Sequence, residues 1–277
     1  GALRVTQLAL DLEEYIEIAS GVYWVGFADT SVGLHCNPYL IVDGDEAVLL
    51  DSGSRDDFST VMLKIMRTGT NPTSIQRLIY HHYDPDLCGN IPHMEALIQN
   101  PALKIISHYE NNIFINYYTA RSPKLCIEQM GLRYRFASGR ELQFIRTPYS
   151  HSPGSFMTFD TQTKVLFSSD LFGSYDHNWS LYSELSAPCA QCDPMPLCPK
   201  TGKRCQMEGI LDFHSRIMTS RKALHYALDR VAELDTALIA PQHGSLLHTA
   251  ESRNAVLTQL RRLKDVGIDH FLEGQNR

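Results

Sequence analysis

The sequence predicts a mixed α/β protein in which two β-sheets carry helices on their outer faces. Strand-like apolar runs fall into two blocks, one ending near Ser107 and one beginning at Arg140. Each block is followed by segments with the apolar spacing of helices, which favours two sheets with helices outside. The 277 residues are 43% hydrophobic and 20% charged, an ordinary globular composition that allows a sizeable core.

The first block begins with three predicted strands, and Asp43-Gly44-Asp45 is typical of a hairpin turn between the last two. A helix is predicted where apolar residues recur at helical spacing. The strands are expected at Val22 to Val25, Asn37 to Val42, Ala47 to Asp51, Ile75 to Ile79 and Leu103 to Ser107, and the helices at Asp56 to Thr68, Ile91 to Gln99 and, as one or two helices, Glu110 to Met130.

The second block has three consecutive predicted strands, a proline-rich and cysteine-rich region, and then helices around one last strand. The strands are expected at Glu141 to Thr147, Ser155 to Asp160, Lys164 to Ser168 and Ala237 to Ala240, and the helices at Gly209 to Leu234 and Glu251 to Val266. We predict one domain over residues 1–265, with a cysteine-rich insert at 187–207, and a tail or linker at 266–277.

Charge and composition exclude several function classes. The net charge of −6 and the pI near 6.0 argue against binding to nucleic acid or to an anionic membrane. No apolar run approaches the ~20 residues that cross a bilayer. The seven cysteines are an odd count, and the first residues lack the form of a secretory signal, so we expect a cytoplasmic protein.

Potential metal ligands follow the strand that ends at Ile79. His82, Asp84 and Asp86 occupy alternate positions, and alternate side chains of extended chain share a face. Pro85 disfavours helical geometry at Asp84. One imidazole and two carboxylates suit iron or manganese at least as well as zinc. The alternative is a polar loop with an accidental run of these residues.

Further candidate ligands follow three other predicted strands: His151, Asp170 and His243. Ligands delivered from separate strand ends form a site that a rigid scaffold can hold in place. Six such residues exceed the need of one tetrahedral metal, and a carboxylate can bridge two ions. The pattern therefore predicts a dinuclear metal site, although each histidine taken singly is as compatible with a hydrogen-bonded core residue.

The motifs at these strand ends resemble those of the metallo-β-lactamase superfamily, and within it the diiron domain of flavodiiron proteins and the related oxygen-binding diiron proteins. The resemblance covers roughly residues 20–260 and includes the early Asn37-Pro38-Tyr39-Leu40-Ile41-Val42 and Leu50-Asp51. The four motifs that carry it, in order, are His82-Tyr83-Asp84-Pro85-Asp86-Leu87, Thr147-Pro148-Tyr149-Ser150-His151-Ser152-Pro153, Leu166-Phe167-Ser168-Ser169-Asp170-Leu171-Phe172-Gly173 and Ala240-Pro241-Gln242-His243-Gly244.

This resemblance implies an αββα sandwich and a pair of iron ions. It places His82, Asp84 and His151 on one iron, Asp86 and His243 on the other, and Asp170 between them. The chain departs from the family twice. Asp84 stands where the diiron branch has glutamate, and Leu87, which cannot ligate, stands where a histidine is expected. His81 and His35 are candidates to supply the missing ligand.

The resemblance also implies that the iron pair binds or reduces O₂, with NO as an alternative ligand. Flavodiiron proteins carry a fused flavodoxin domain, and we expect none after residue 260 of this chain. We therefore expect an external electron donor or a fused signalling output domain, which favours an oxygen sensor over a self-sufficient reductase. A homodimer is left open. The alternatives are a zinc-dependent hydrolase of the same superfamily and a binding module with a degenerate site.

The insert at residues 187–207 carries four thiols, Cys189, Cys192, Cys198 and Cys205. The first pair has the spacing of a zinc site, and such a metal would staple a loop without its own core. An iron–sulfur cluster is less favoured because none of its usual spacings is matched. Free thiols or a redox disulfide are the other interpretation.

Overall fold

Two β-sheets pack face to face, and helices cover the outer face of each sheet. This computed structural model describes residues 10–28, 31, 33–176 and 179–275. The four layers confirm the predicted αββα sandwich. No helix in the described part of the chain is long and apolar enough to cross a membrane.

The first sheet has seven strands in chain order. Neighbours from β1 to β4 pair antiparallel, and those from β4 to β7 pair parallel with helices in the connections. The strands are β1 (Ile16–Ala19), β2 (Val22–Trp24), β3 (Tyr39–Asp43), β4 (Glu46–Leu50), β5 (Ile75–Ile79), β6 (Lys104–Ser107) and β7 (Lys124–Cys126), and the helices are α1 (Phe58–Arg67), α2 (Pro85–Cys88), α3 (Ile91–Ile98) and α4 (Tyr109–Ile115).

The second sheet has five strands in the order β12-β11-β10-β9-β8. Only β11 and β12 pair parallel, because a helical segment connects them. The strands are β8 (Arg133–Arg135), β9 (Glu141–Arg146), β10 (Phe156–Asp160), β11 (Val165–Ser169) and β12 (Leu238–Pro241), and the helices are α5 (Gln206–Ile217), α6 (Arg221–Ala232), α7 (Ala250–Arg262) and α8 (Ile268–Gln275).

Three apolar layers hold the sandwich together, one between the sheets and one under each helical layer. In β4, Val48 and Leu50 lie between the sheets, whereas Leu49 packs under the helices with Val61. Strands buried on both faces carry near-continuous apolar runs instead of alternation. This explains why Ala47-Val48-Leu49-Leu50 is apolar throughout.

Several predicted elements are wrong in detail. The stretch from Glu110 to Met130 is helical only in α4 and in a short 3-10 helix at Asn116–Tyr118, and it then forms the edge strand β7, because pairing with β6 stabilises a three-residue strand that local sequence does not specify. The short strands β1 and β8 were not predicted. The helix expected from Gly209 to Leu234 is two helices, since Ser220 caps the start of α6 by accepting a hydrogen bond from the Ala223 N–H.

The segment predicted as a tail or linker contains a helix, α8. The domain boundary at residue 265 stays a prediction.

Candidate metal centre

The carboxyl ends of β5, β9, β11 and β12 meet at one edge of the sandwich, and the predicted ligands follow those ends. All six predicted residues come together there: His82, Asp84, Asp86, His151, Asp170 and His243.

The loop after β5 divides its two carboxylates between different neighbours. Asp84 is extended (φ −66°, ψ 152°), as Pro85 dictates, but Pro85–Cys88 forms a short helix and not the predicted extended loop. Asp86 therefore does not share a face with Asp84. Gly89 allows this tight packing, because a Cβ there would lie 2.6 Å from the Pro85 carbonyl oxygen.

The first cluster consists of His82, Asp84 and His151, whose ligand atoms lie within 4.8 Å of one another. The Asp84 Oδ2 atom is 3.1 Å from His151 Nε2 and 3.4 Å from His82 Nε2. The other ring nitrogen of His82, Nδ1, lies 3.0 Å from the Ser169 hydroxyl at the end of β11. This contact orients the imidazole so that Nε2 faces the cluster.

The second cluster consists of Cys36, Asp86 and His243, again within 4.8 Å of one another. His243 Nε2 lies 3.0 Å from Asp86 Oδ2. Its Nδ1–H donates to the His35 carbonyl oxygen at 2.8 Å, and because a carbonyl only accepts, the tautomer is set with Nε2 towards the cluster. Sequence reasoning missed Cys36, since a single cysteine before a strand carries no pattern.

Asp170 stands between the two clusters. Its Oδ2 is 3.1 Å from His151 Nε2 and 3.5 Å from His82 Nε2, and its Oδ1 is 3.8 Å from His243 Nε2. Asp170 Oδ1 and His82 Nε2 are buried and make no hydrogen bond within the described structure. Buried polar atoms without partners are costly unless something else binds them, so these donors fit a pair of metal ions.

The electrostatics of the site suit cations. Burial alone would raise the pKa of the Asp84 and Asp170 carboxyls, but the facing histidines hold both well below their usual range. Burial would lower the pKa of His151, yet Asp170 and Asp84 raise it to about 10. The pKa values of His82 and His243 are also raised, against burial, by their carboxylates. Metal binding would therefore release protons from imidazoles.

The sequence model of one protein family, described as the ODP family beta lactamase, matches residues 34–244 of this chain. The chain belongs to this family. The matched residues include Cys36 and all six predicted ligands.

Similar proteins agree with this assignment. The solved structure titled "Peroxy diiron species of chemotaxis sensor ODP" is 25% identical, with a TM-score of 0.70 over 94% of this chain and 98% of that one. The flavodiiron protein from Giardia intestinalis, 20% identical, shares the fold with a TM-score of 0.72 over 90% of this chain and 59% of that one. An anaerobic nitric oxide reductase flavorubredoxin of Pectobacterium atrosepticum is 25% identical over 83% of this chain and 44% of its own length. Across the first curated relatives, this chain spans between 24% and 56% of their length.

Among the described residues, the structure brings neither His81 nor His35 into a cluster of possible ligands, so neither supplies the ligand that the family resemblance leads us to expect at position 87. Leu87 is fully buried in the apolar layer under α1 and α3. His81 uses both nitrogens elsewhere, 2.6 Å from Asp51 Oδ2 and 2.8 Å from Thr158 Oγ1. His35 directs its Nε2 at the Asp176 carbonyl oxygen, 2.7 Å away.

The four cysteines of the insert line one cavity of about 190 Å³. No three of the sulfur atoms in this described segment lie within 4.8 Å of one another. A zinc site in the insert therefore stays a prediction.

Proposed function

We propose that this ODP-family chain is a non-haem diiron protein that binds or reduces O₂, with NO as an alternative ligand. His82, Asp84 and His151 would hold the first iron, Asp86 and His243 would hold the second, and Asp170, which lies between the two clusters, would contribute to both. The observation that carries this proposal is the placement of Asp170, whose two carboxylate oxygens face different clusters.

The donor set fits iron, because imidazole and carboxylate ligands suit ferrous and ferric ions. Bound iron would supply one-electron redox chemistry and coordination positions for a diatomic ligand. The burial of the proposed ligands determines from which side a diatomic ligand can reach the iron ions. Asp84, Asp86 and His151 are 33%, 30% and 23% exposed, whereas His82 and His243 are almost fully buried. A small ligand would therefore approach from the side of the three exposed ligands.

We favour a role in oxygen sensing. The likeness to the chemotaxis sensor ODP extends over 98% of that chain, whereas this chain spans 59% of the Giardia flavodiiron protein. A sensor passes its signal to an output domain, and a reductase draws electrons from a donor. Either partner would approach the exposed side of the centre or a helical face beside it.

The decisive experiment loads the chain with ferrous iron without oxygen, counts iron per chain, and records absorption before and after O₂ or NO. We expect two iron ions and an absorption change on exposure. Asp170→Asn should bind at most one iron and lose the change. Asp235→Asn, at a carboxylate 83% exposed, is the matched control and should behave as the wild type.

Two results would contradict the proposal. One is a chain that takes up zinc and no iron, which would favour the zinc-dependent hydrolase. The other is a chain equally stable with and without chelator, which would indicate a binding module with a degenerate site, because a metal that binds only the folded state must stabilise it.

For the insert, the finer proposal is one structural zinc held by the thiols of Cys189, Cys192, Cys198 and Cys205. Gln259 of α7 supports it by donating to the carbonyl oxygens of Cys189 and Cys192 at 2.9 and 2.7 Å, which fixes the start of the loop. The hydrogen bond from the Thr201 side chain, together with backbone N–H groups, lowers the pKa of the Cys198 thiol, and thiolate is the form that binds metal.

Zinc analysis of iron-loaded protein tests the insert. Cys192→Ser should lose one zinc per chain and keep its iron, and Cys126→Ser, outside both sites, should lose neither. Equal zinc content in both variants would refute a zinc site in the insert.

A further inference from the structure

The two metal subsites are unequal in their proposed protein ligands. The first has two imidazoles and one carboxylate besides the bridging Asp170, whereas the second has only Asp86 and His243. Leu87 offers no donor atom, and His81 and His35 are committed elsewhere. Yet Asp170 Oδ1, which faces the second subsite, is buried without a hydrogen-bond partner. This orphaned oxygen indicates that a cation belongs there as well.

Cys36 supplies the nearest further donor. Its sulfur lies within 4.8 Å of the ligand atoms of both Asp86 and His243. The residue is 7% exposed. A buried thiol beside an imidazole and a carboxylate is a combination that binds transition metals.

The backbone holds Cys36 in this place independently of any metal. The Phe27 N–H donates to the Cys36 carbonyl oxygen, and Gly26 makes that approach possible, since a Cβ there would lie 2.3 Å from the same oxygen. On the other side, the Asn37 N–H donates to the Gln242 carbonyl oxygen at 2.9 Å.

The side chains of the same segment bind the loop that carries His243. Asn37 Nδ2 donates to the carbonyl oxygens of Pro241 and Gly244 at 3.0 and 2.9 Å, and the Tyr39 hydroxyl donates to Pro241 at 2.7 Å. These hydrogen bonds tie the segments at 35–39 and 241–244 together and hold Cys36 beside His243.

We propose that Cys36 is a ligand of the second metal ion and compensates for the leucine at position 87. This inference rests on the proposed dinuclear centre. As the sulfur–metal bond forms, the thiol proton leaves to solvent, and no electron is transferred. The second subsite is then a Cys/Asp/His site, softer than the first, and it favours divalent ions with affinity for sulfur.

The test is an anaerobic titration of the full chain with Co²⁺ alone, followed by absorption and by metal counting. A thiolate bound to Co²⁺ gives a charge-transfer band that imidazole and carboxylate ligands do not. We expect Cys36→Ser and Cys36→Ala each to lose a share of this band and to bind one Co²⁺ at least ~10-fold more weakly. Either variant suffices if the other does not fold.

The insert cysteines contribute equally to every variant, so the readout is the difference from the wild type. Cys126→Ser is the control, because Cys126 is also a free thiol but lies at the end of β7, outside both clusters and outside the insert, and it should keep the full band. Identical spectra and Co²⁺ counts for wild type, Cys36→Ser and Cys36→Ala would overturn the inference.

The result of this test can be distinguished from the result of the O₂ and NO experiment that tests the proposed function. Loss of the sulfur band in the Cys36 variants supports the ligand assignment even if the iron-loaded chain does not respond to O₂ or NO. An unchanged band with a normal O₂ response removes Cys36 from the centre and leaves the diiron proposal standing.

Discussion

His81 offers a sharp test of how the scaffold supports the metal centre. It precedes the proposed ligand His82, and its side chain joins the two sheets. The ring Nδ1–H of His81 donates to Asp51 Oδ2 at 2.6 Å, and its backbone N–H donates to Asp51 Oδ1 at 3.1 Å. The other ring nitrogen, Nε2, lies 2.8 Å from Thr158 Oγ1 on β10. His81→Leu removes both side-chain contacts and keeps the apolar volume. The carboxylate of Asp51 then stays buried with one oxygen unpaired.

The size of the effect follows from burial. The side chains of His81 and Asp51 are 1% and 3% exposed, so solvent does not replace the lost partner. Removing one member of a buried pair costs about 3–5 kcal/mol. At roughly 2–4 °C per kcal/mol for a protein of this size, the Tm should fall by about 6–20 °C.

Urea and thermal unfolding in the presence of chelator measure this cost without a contribution from bound metal. Arg67→Leu is the control, because its ion pair with Glu14 is 43% and 44% exposed and should be worth less than ~1 kcal/mol. The double variant His81→Leu/Asp51→Leu should lose less than the two single losses added together, since the two residues are coupled. A loss below ~1 kcal/mol in His81→Leu would refute the reasoning.

Three further predictions concern buried polar and apolar groups. Burial lowers the pKa of His214 to about 4, and its Nε2 accepts a hydrogen bond from the Phe172 N–H. The stability that this neutral imidazole contributes is therefore fully present above pH ~6.5 and is lost as the pH falls towards 4. His214→Phe should remove about 3 kcal/mol of this acid-induced loss, measured by urea titration as the difference in unfolding free energy between pH 7 and pH 4. Arg140→Met should cost about 3–5 kcal/mol of unfolding free energy, because Asp160 is fully buried and receives two guanidinium hydrogen bonds; a Tm within ~2 °C of the wild type would contradict this. Leu87→His should cost about 1–3 kcal/mol in chelator, because it places an imidazole in an apolar layer, and chemical denaturation at pH 7 would show it.

The sequence alone was sufficient for the layer order and for most of the strands. Strands such as β4 and β11 are buried on both faces, and their apolar runs mark them locally. The strands β1, β7 and β8 could not be predicted, because three or four residues at a sheet edge or end are stabilised by pairing with a partner distant in sequence. The same limit explains why the prediction of one or two helices from Glu110 to Met130 is wrong beyond Tyr118.

The six candidate ligands were predicted from their positions at strand ends, because parallel strands deliver their carboxyl ends to one edge. The family resemblance already implied their division into two sets, and the tertiary structure gives the physical reason, since the short helix at Pro85 turns Asp86 away from Asp84. Only the tertiary structure showed that His81 and His35 are engaged elsewhere and that Cys36 lies beside Asp86 and His243, because those contacts join residues 30 to about 200 positions apart. The identity of the donor atoms is written locally in the chain, whereas their distances are set by the packing of two sheets.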